Sequence, residues 1–212
     1  MIVTKYEHAC FTVEIDGQLL VIDPGDFTKT LSVPANVAAI VITHEHQDHF
    51  DPQTITSLIE TNPEAVLISL ESIIDSYGEI AHSQKVAPGD TASVGPFNLA
   101  FFGGKHAHIH SSIPQIDNIG ILINNAIYFP GDSFEVPHQP VKLLALPASG
   151  PWFKTSDAID FMLDIKPDKA FPTHNIHNSE QGQKLFDRIV GGFAEHAGIT
   201  YVPLDIEQSI EL

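Results

Sequence analysis

The sequence is short of cysteine, of cationic side chains and of long apolar runs, and each shortage removes a class of protein. Cys10 is the only cysteine in 212 residues, so neither an internal disulfide nor a thiolate-rich zinc site can form. Lys and Arg number 10 against 27 Asp and Glu, a net charge of −17. Charged residues make up only 17% of the chain, so the imbalance comes from scarce cations more than from abundant acids. Such a chain repels phosphate backbones and anionic lipid, and neither nucleic acid nor a membrane is an expected partner. No segment approaches the ~18 consecutive apolar residues of a membrane span. The opening MIVTKYEHACFTVEIDG is polar throughout and has no secretory pattern, so a cytoplasmic protein is expected. The glycine pairs 103–104 and 191–192 lack the Lys and Ser/Thr of a phosphate loop, and no serine sits in a nucleophile elbow.

Hydrophobic residues are 43% of the chain, enough for a sizeable core. No composition shift, linker or repeat divides it, so residues 1–212 are expected to form one domain. Residues 2–6, 11–15 and 18–22 read as a strand meander with a turn at Asp16-Gly17. Residues 38–43, AAIVIT, form the short apolar run of a strand buried on both faces. Asp51-Pro52 is a helix start, with Ile55, Leu58 and Ile59 at helical spacing behind it. Short strands are expected within 65–69, 85–94, 97–102, 119–123, 126–129, 143–146, 169–171 and 201–203, and helices over 71–77, 156–165 and 179–197. Strands first, then strand–helix pairs, imply an α/β or α+β sandwich with helices outside.

The twelve histidines are many for this length, and they cluster. His44-Glu45-His46-Gln47-Asp48-His49 directly follows the buried strand. His44 and His46 are two apart, so in extended backbone both imidazoles point the same way and reach one ion at the ~2.0 Å of a metal–imidazole bond. Asp48 and His49 follow a bend and can reach a second ion. A solvated-surface reading would need three histidines and an aspartate crowded at one strand end for no reason; a metal site gives one.

This HxHxDH pattern after an apolar strand resembles the signature of the metallo-β-lactamase superfamily. Later residues keep that family's order: His106 after FNLAFFGGK, Asp132 in PGDSF, and His174 in AFPTHN. Asp23-Pro24-Gly25 after LLVI matches its opening strands. The resemblance spans roughly residues 2–205 and points most closely to small, cap-less hydrolases related to ascorbate-6-phosphate lactonase. It implies an αββα fold, two mixed sheets face to face with helices on the outer faces. It also implies two divalent ions, with zinc preferred and manganese or iron allowed by the donor set. His44, His46 and His106 are then expected around the first ion, Asp48, His49 and His174 around the second, with Asp132 bridging. Asp48 and Asp132 are the expected catalytic carboxylates, flanking a bridging hydroxide that cleaves an ester, lactone or phosphodiester of a small molecule. Asp132 stands where some secreted lactamases of the superfamily carry Cys, a departure that points away from them.

Other positions stay open at this level. His106 sits where its strand should end and is the first choice for the third histidine; His110 is the runner-up, with a role toward substrate as its other reading, and His108 reads as a loop residue. His8 is either a hydrogen-bonded strand histidine or a residue at the site's rim. Asp23 is read as a partner for the far nitrogen of a metal-bound histidine. His177, His82, His138 and His196 read as surface residues. Trp152, in a Gly-Pro loop, is a packing anchor or a pocket wall. Two rival functions remain: a mononuclear iron oxygenase on the same fold, and a non-catalytic metal-binding protein. The partner is expected to be a small molecule, and homo-oligomerisation is left open.

Overall fold

The computed structural model describes residues 1–78 and 80–212. The chain opens as a meander in which β1 (Ile2–Lys5), β2 (Phe11–Ile15) and β3 (Gln18–Ile22) pair antiparallel. Asp16 and Gly17, both at positive φ, make the tight turn that the Asp-Gly pair predicts. Two crossovers follow. β4 (Val37–Val41), β5 (Val66–Ser69) and β6 (Ser83–Lys85) add in parallel, through α1 (Pro52–Thr61) and α2 (Glu71–Tyr77).

The second half repeats this plan. β7 (Thr91–Val94), β8 (Phe97–Gly103), β9 (Ile119–Ile123) and β10 (Ile127–Phe129) form an antiparallel meander. β11 (Leu143–Pro147), β12 (Lys169–Thr173) and β13 (Thr200–Tyr201) then add in parallel, with α3 (Thr155–Ile165) and α4 (Glu180–His196) between them. β14 (Ser209–Glu211) returns to the β1 edge. The result is two seven-stranded mixed sheets, ordered β14-β1-β2-β3-β4-β5-β6 and β13-β12-β11-β10-β9-β8-β7.

The sheets are apolar on both faces because both faces are covered. On β4, Ala39 and Val41 point between the sheets while Ile40 and Ile42 point under α1 and α2. On β11, Leu143 and Ala145 face the inner core, and Leu144 and Leu146 face α3 and α4. Pro52 at the first helical position and the Asp51 side chain, accepting from the backbone N–H of Gln53 and Thr54, start α1 and aim Ile55 and Leu58 inward. α4 runs through Gly191-Gly192 because Phe186, Val190 and Ala194 anchor one face in the core.

Strand direction positions the site. β2 and β9 each reverse the chain once, so β1, β3 and β4 run the same way in one sheet, and β8, β10, β11 and β12 run the same way in the other. Every chemistry-bearing loop leaves a carboxyl end of these strands: His8 after β1, Asp23 after β3, the 44–49 segment after β4, His106 after β8, Asp132 after β10, Trp152 after β11 and His174 after β12. Crevices outside the carboxyl ends of co-oriented strands are the common ligand sites of α/β sheets.

Phe11 on one sheet meets Phe129 and Phe171 of the other edge-on, at 5.4 and 5.9 Å between ring centroids. This aromatic row joins the sheets directly behind the site. Phe11→Ala should therefore lower stability by about 3–5 kcal/mol, read as a reduced urea midpoint. An unchanged midpoint would show that the sheets do not depend on it.

Candidate metal centre

Two groups of donors converge at this edge. His44, His46, His106 and Asp132 offer ligand atoms within 4.8 Å of one another, and so do His8, Asp48, His49 and His174. Asp132 lies between them. Its Oδ2 is 3.2 Å from His106 Nε2, 3.8 Å from His44 Nε2 and 3.1 Å from His174 Nε2, and its Oδ1 is 3.1 Å from His49 Nε2. Donor atoms around one ion at ~2.0–2.1 Å stand roughly 3.3 Å apart in a tetrahedron, so these spacings suit a metal.

The hydrogen bonds leave the right atoms free. His49 Nδ1 donates to Asp23 Oδ2 at 2.6 Å, and His106 Nδ1 donates to the Ala107 carbonyl at 2.6 Å. His44 Nδ1 donates to Thr43 Oγ1 at 3.0 Å, and that hydroxyl donates to Asp23 Oδ2 at 2.5 Å. In each ring Nδ1 is the engaged nitrogen, which leaves Nε2 as the one that faces inward. His44 Nε2, His49 Nε2, His174 Nε2 and Asp132 Oδ1 are buried without an aligned hydrogen-bond partner among the described residues. Buried acceptors left facing one another are costly unless a cation joins them, so the donor set fits a metal centre.

Local backbone explains the placement. His8, Asp23 and His174 all adopt left-handed φ, of 56°, 43° and 55°. Non-glycine residues rarely do so, and the cost of about 1–3 kcal/mol each persists only where surrounding structure imposes it. The His174 N–H donates to the His8 carbonyl at 2.8 Å, which locks the ends of β1 and β12 together. The Asp132 turn is held by Asn118, whose Oδ1 accepts from the Asp132 N–H at 3.0 Å and whose Nδ2 donates to the Pro130 carbonyl at 2.9 Å. Gly131 sits at φ +61, and a Cβ there would strike Asn118 and Thr43. Trp152 Nε1 donates to Asp132 Oδ2 at 3.0 Å.

The positions named from sequence separate clearly. His44, His46, Asp48, His49, His106, Asp132 and His174 come together. His110 does not: it is exposed, and its ring pairs with the Ser112 hydroxyl at 2.8 Å. His8 is neither a strand histidine nor a rim residue. It lies in the turn between β1 and β2, 1% exposed, with Nε2 donating to Asp48 Oδ2 at 3.0 Å and its ring 3.8 Å from that of His174. His177 is exposed yet packs against the rings of His8 and Phe27. Asn118 and Thr43 carried no signal in the sequence; both are ordinary polar residues whose use appears only when strand ends meet.

Charge at the centre is strongly coupled. Burial holds His44 well below the usual histidine range and pushes His8 down to about 3. Burial opposes protonation of His49 and His174 as well, but carboxylates outweigh it. Asp132 and Asp23 hold His49 well above the usual range, and Asp132 and Asp48 bring His174 to about 9. Burial disfavours the Asp132 carboxylate, yet His174 and His49 keep it well below the usual carboxylate range.

Around this floor lies a cleft of about 700 Å³, with Phe27, Phe50, Ile109, Pro151 and Trp152 among its walls and Asp48, Asp132 and His174 at its base. Among the described residues no helix is long and apolar enough to cross a membrane.

Comparisons agree with the architecture. The family described as beta-lactamase superfamily domain matches residues 2–174. Protein Rv0786c of Mycobacterium tuberculosis is 35% identical over 179 residues, covering 82% of this chain and 84% of its own. Igni18, a metallo hydrolase of the archaeon Ignicoccus hospitalis, superposes with a TM-score of 0.76 at 18% identity, over 99% and 97% of the two chains. CmlA, a diiron β-hydroxylase of Streptomyces venezuelae, shares the fold at a TM-score of 0.72 and 15% identity, over the whole of this chain and 54% of its own.

Asp23→Ala removes the acceptor that orients His49 and Thr43, and should weaken metal binding roughly 10–100-fold with the fold intact; unchanged affinity would mean that Asp23 orients nothing. Metal loading at neutral pH should release about two protons per chain, from His49 and His174. The sign follows from their raised pKa values. Affinity falls as pH falls, and the His174 share of the release disappears as pH rises through about 9. Calorimetry in buffers of different ionisation enthalpy reads this directly, and no release at pH ~7 would contradict the protonated pairs.

Proposed function

The chain belongs to the beta-lactamase superfamily, and from that premise we propose that it is a hydrolase working through two divalent ions, preferably zinc, on an ester, lactone or phosphodiester bond of a small molecule. The observation that carries this reading is the set of inward, unpartnered Nε2 and carboxylate atoms meeting at Asp132. His44, His46 and His106 would hold one ion, and Asp48, His49 and His174 the other, with Asp132 reaching both. When bound, such ions supply Lewis acidity that activates water and polarises the scissile bond.

The chain's own residues do the rest. Thr43, Asp23 and the Ala107 carbonyl engage Nδ1 of His44, His49 and His106 and so orient these three rings with Nε2 inward. Trp152 holds Asp132 Oδ2 by its indole N–H and closes one side of the cleft. Of the two carboxylates in the ligand set, Asp48 is nearer the solvent, with 17% of its side chain exposed against 3% for Asp132. It is therefore the group placed to orient attacking water or pass a proton to the leaving group; hydrogen bonds with His174 and His8 outweigh burial and hold its carboxyl well below the usual carboxylate range.

A single-iron oxygenase would need two histidines and one carboxylate; the convergence of seven candidate ligands, His44, His46, Asp48, His49, His106, Asp132 and His174, argues for more than one ion. Two tests decide. Elemental analysis of protein purified without added metal should give about two zinc or manganese ions per chain, and exhaustive chelation should abolish hydrolysis until metal is restored. Asp132→Ala should lose more than the roughly 10–100-fold that follows removal of an outer partner, together with one ion. Iron content with substrate-dependent oxygen uptake would overturn the hydrolase reading.

A further inference from the structure

The cleft has an unusual charge pattern for a site expected to take small metabolites. Three carboxylates line it, Glu45, Asp48 and Asp132, and no Lys or Arg does so among the described residues. Several of the ten cationic side chains are committed elsewhere. Lys85 pairs with Glu71 and Asp75, Lys105 with Asp117, and Lys184 with Glu180. Lys5 is buried behind the site and donates to the Tyr6 carbonyl at 3.1 Å. Glu45 is exposed at the mouth and has no ion pair among the described residues. The remaining walls are apolar or neutral: Phe27, Phe50, Ile109, Pro151 and Trp152, with Gln47 among the neutral polar groups.

Sites that recognise phosphate or carboxylate groups do so with Arg or Lys, or with backbone N–H clusters, because an anion taken from water needs charge-assisted hydrogen bonds in return. Among the described residues the lining offers an anionic substituent no Lys or Arg and faces it with Glu45. Any positive charge carried by the histidine cluster lies on the cleft floor and is partly offset by Asp48 and Asp132. It draws the scissile carbonyl and leaves remote substituents to the walls. At longer range the net charge of −17 also slows anions.

Resting on the hydrolase reading above, we infer that the substrate is an uncharged ester or lactone carrying an apolar or aromatic substituent, and that the cleft selects against anionic, including phosphorylated, substrates. This narrows the bond choices to carboxylic esters and lactones and departs from what a likeness to ascorbate-6-phosphate lactonases implies. Water adds to the acyl carbon, the acyl C–O bond breaks, and the products are an alcohol, a carboxylate and one proton released to solvent. For a lactone, alcohol and carboxylate stay on one molecule. A neutral compound enters and an anion leaves, so the acidic mouth assists release of the product it repels at entry.

The test uses p-nitrophenyl esters of one chain length whose tails end in methyl, carboxylate or trimethylammonium, with the three matching p-nitroanilides as slowly hydrolysed binding probes. Trp152 is the only tryptophan and lines the cleft, so quenching of its fluorescence reports occupancy without turnover. The methyl-ended probe should bind, and its ester should be cleaved, at least about tenfold better than the carboxylate-ended one, about 1.4 kcal/mol of discrimination. Glu45→Gln should narrow that gap several-fold and Glu45→Lys should close or invert it, with metal content unchanged. Equal binding of the methyl and carboxylate tails, or no quenching by the methyl tail, would overturn the inference whatever the turnover. Quenching in the expected order with no ester cleaved would leave the cleft's selectivity standing and sink the hydrolase reading instead.

Discussion

Asp132 carries its charge 2% exposed, within 3.8 Å of four imidazole nitrogens, and the rest of the site exists to make that tolerable. A buried carboxylate without compensation would take up a proton or unfold its surroundings. Here the Trp152 N–H is aligned to one oxygen, the Asn118 side chain holds the turn that carries it, and the Ala107 N–H donates to the Asp132 carbonyl at 2.7 Å. Positive charge must come from protonated histidines or from metal, and the tautomers favour metal on the inner nitrogens.

Close packing of loops is what permits this density of donors. The turn after β3 passes so near the 44–49 segment that a Cβ on Gly25 would collide with the Asp48 and His49 backbone. The Asp26 N–H bonds the Gln47 carbonyl at 2.8 Å across the same gap. In the same turn Asp23, at φ 43°, reaches His49 Nδ1 at 2.6 Å. Glycine at position 25 is therefore a requirement of the metal centre rather than of the turn itself.

This also explains what the sequence disclosed and what it hid. The HEHQDH run, the spacing of Asp132 and His174, and the alternation of apolar residues on strands such as β4 and β11 are local, and local pattern is what a sequence displays. His8 was named at the end of the first strand with its role left open, because nothing local shows that Tyr6 N–H closes on the Cys10 carbonyl at 2.9 Å and that the turn there carries the ring inward. The choice between His106 and His110 depended on where β8 ends. It ends at Gly103, and the His106 N–H is then held by the Ile116 carbonyl at 3.0 Å while His110 swings to solvent. Asn118, Thr43 and Trp152 act through partners 12 to 20 residues away or more, and no spacing rule announces such contacts.

Each donor group draws on both sheets. His44 and His46 follow β4 of one sheet, whereas His106 and Asp132 follow β8 and β10 of the other; His8, Asp48 and His49 belong to the first sheet and His174 to the second. The inner core joins the sheets by apolar contact over most of their area, but at this edge the contact between them is polar. An ion bound there is a cross-link as well as a catalyst, since it binds only when both sheets present their ligands. Binding free energy of that kind adds directly to the stability of the folded state. The backbone bond from the His174 N–H to the His8 carbonyl adds a direct polar tie between the two sheets at the same edge.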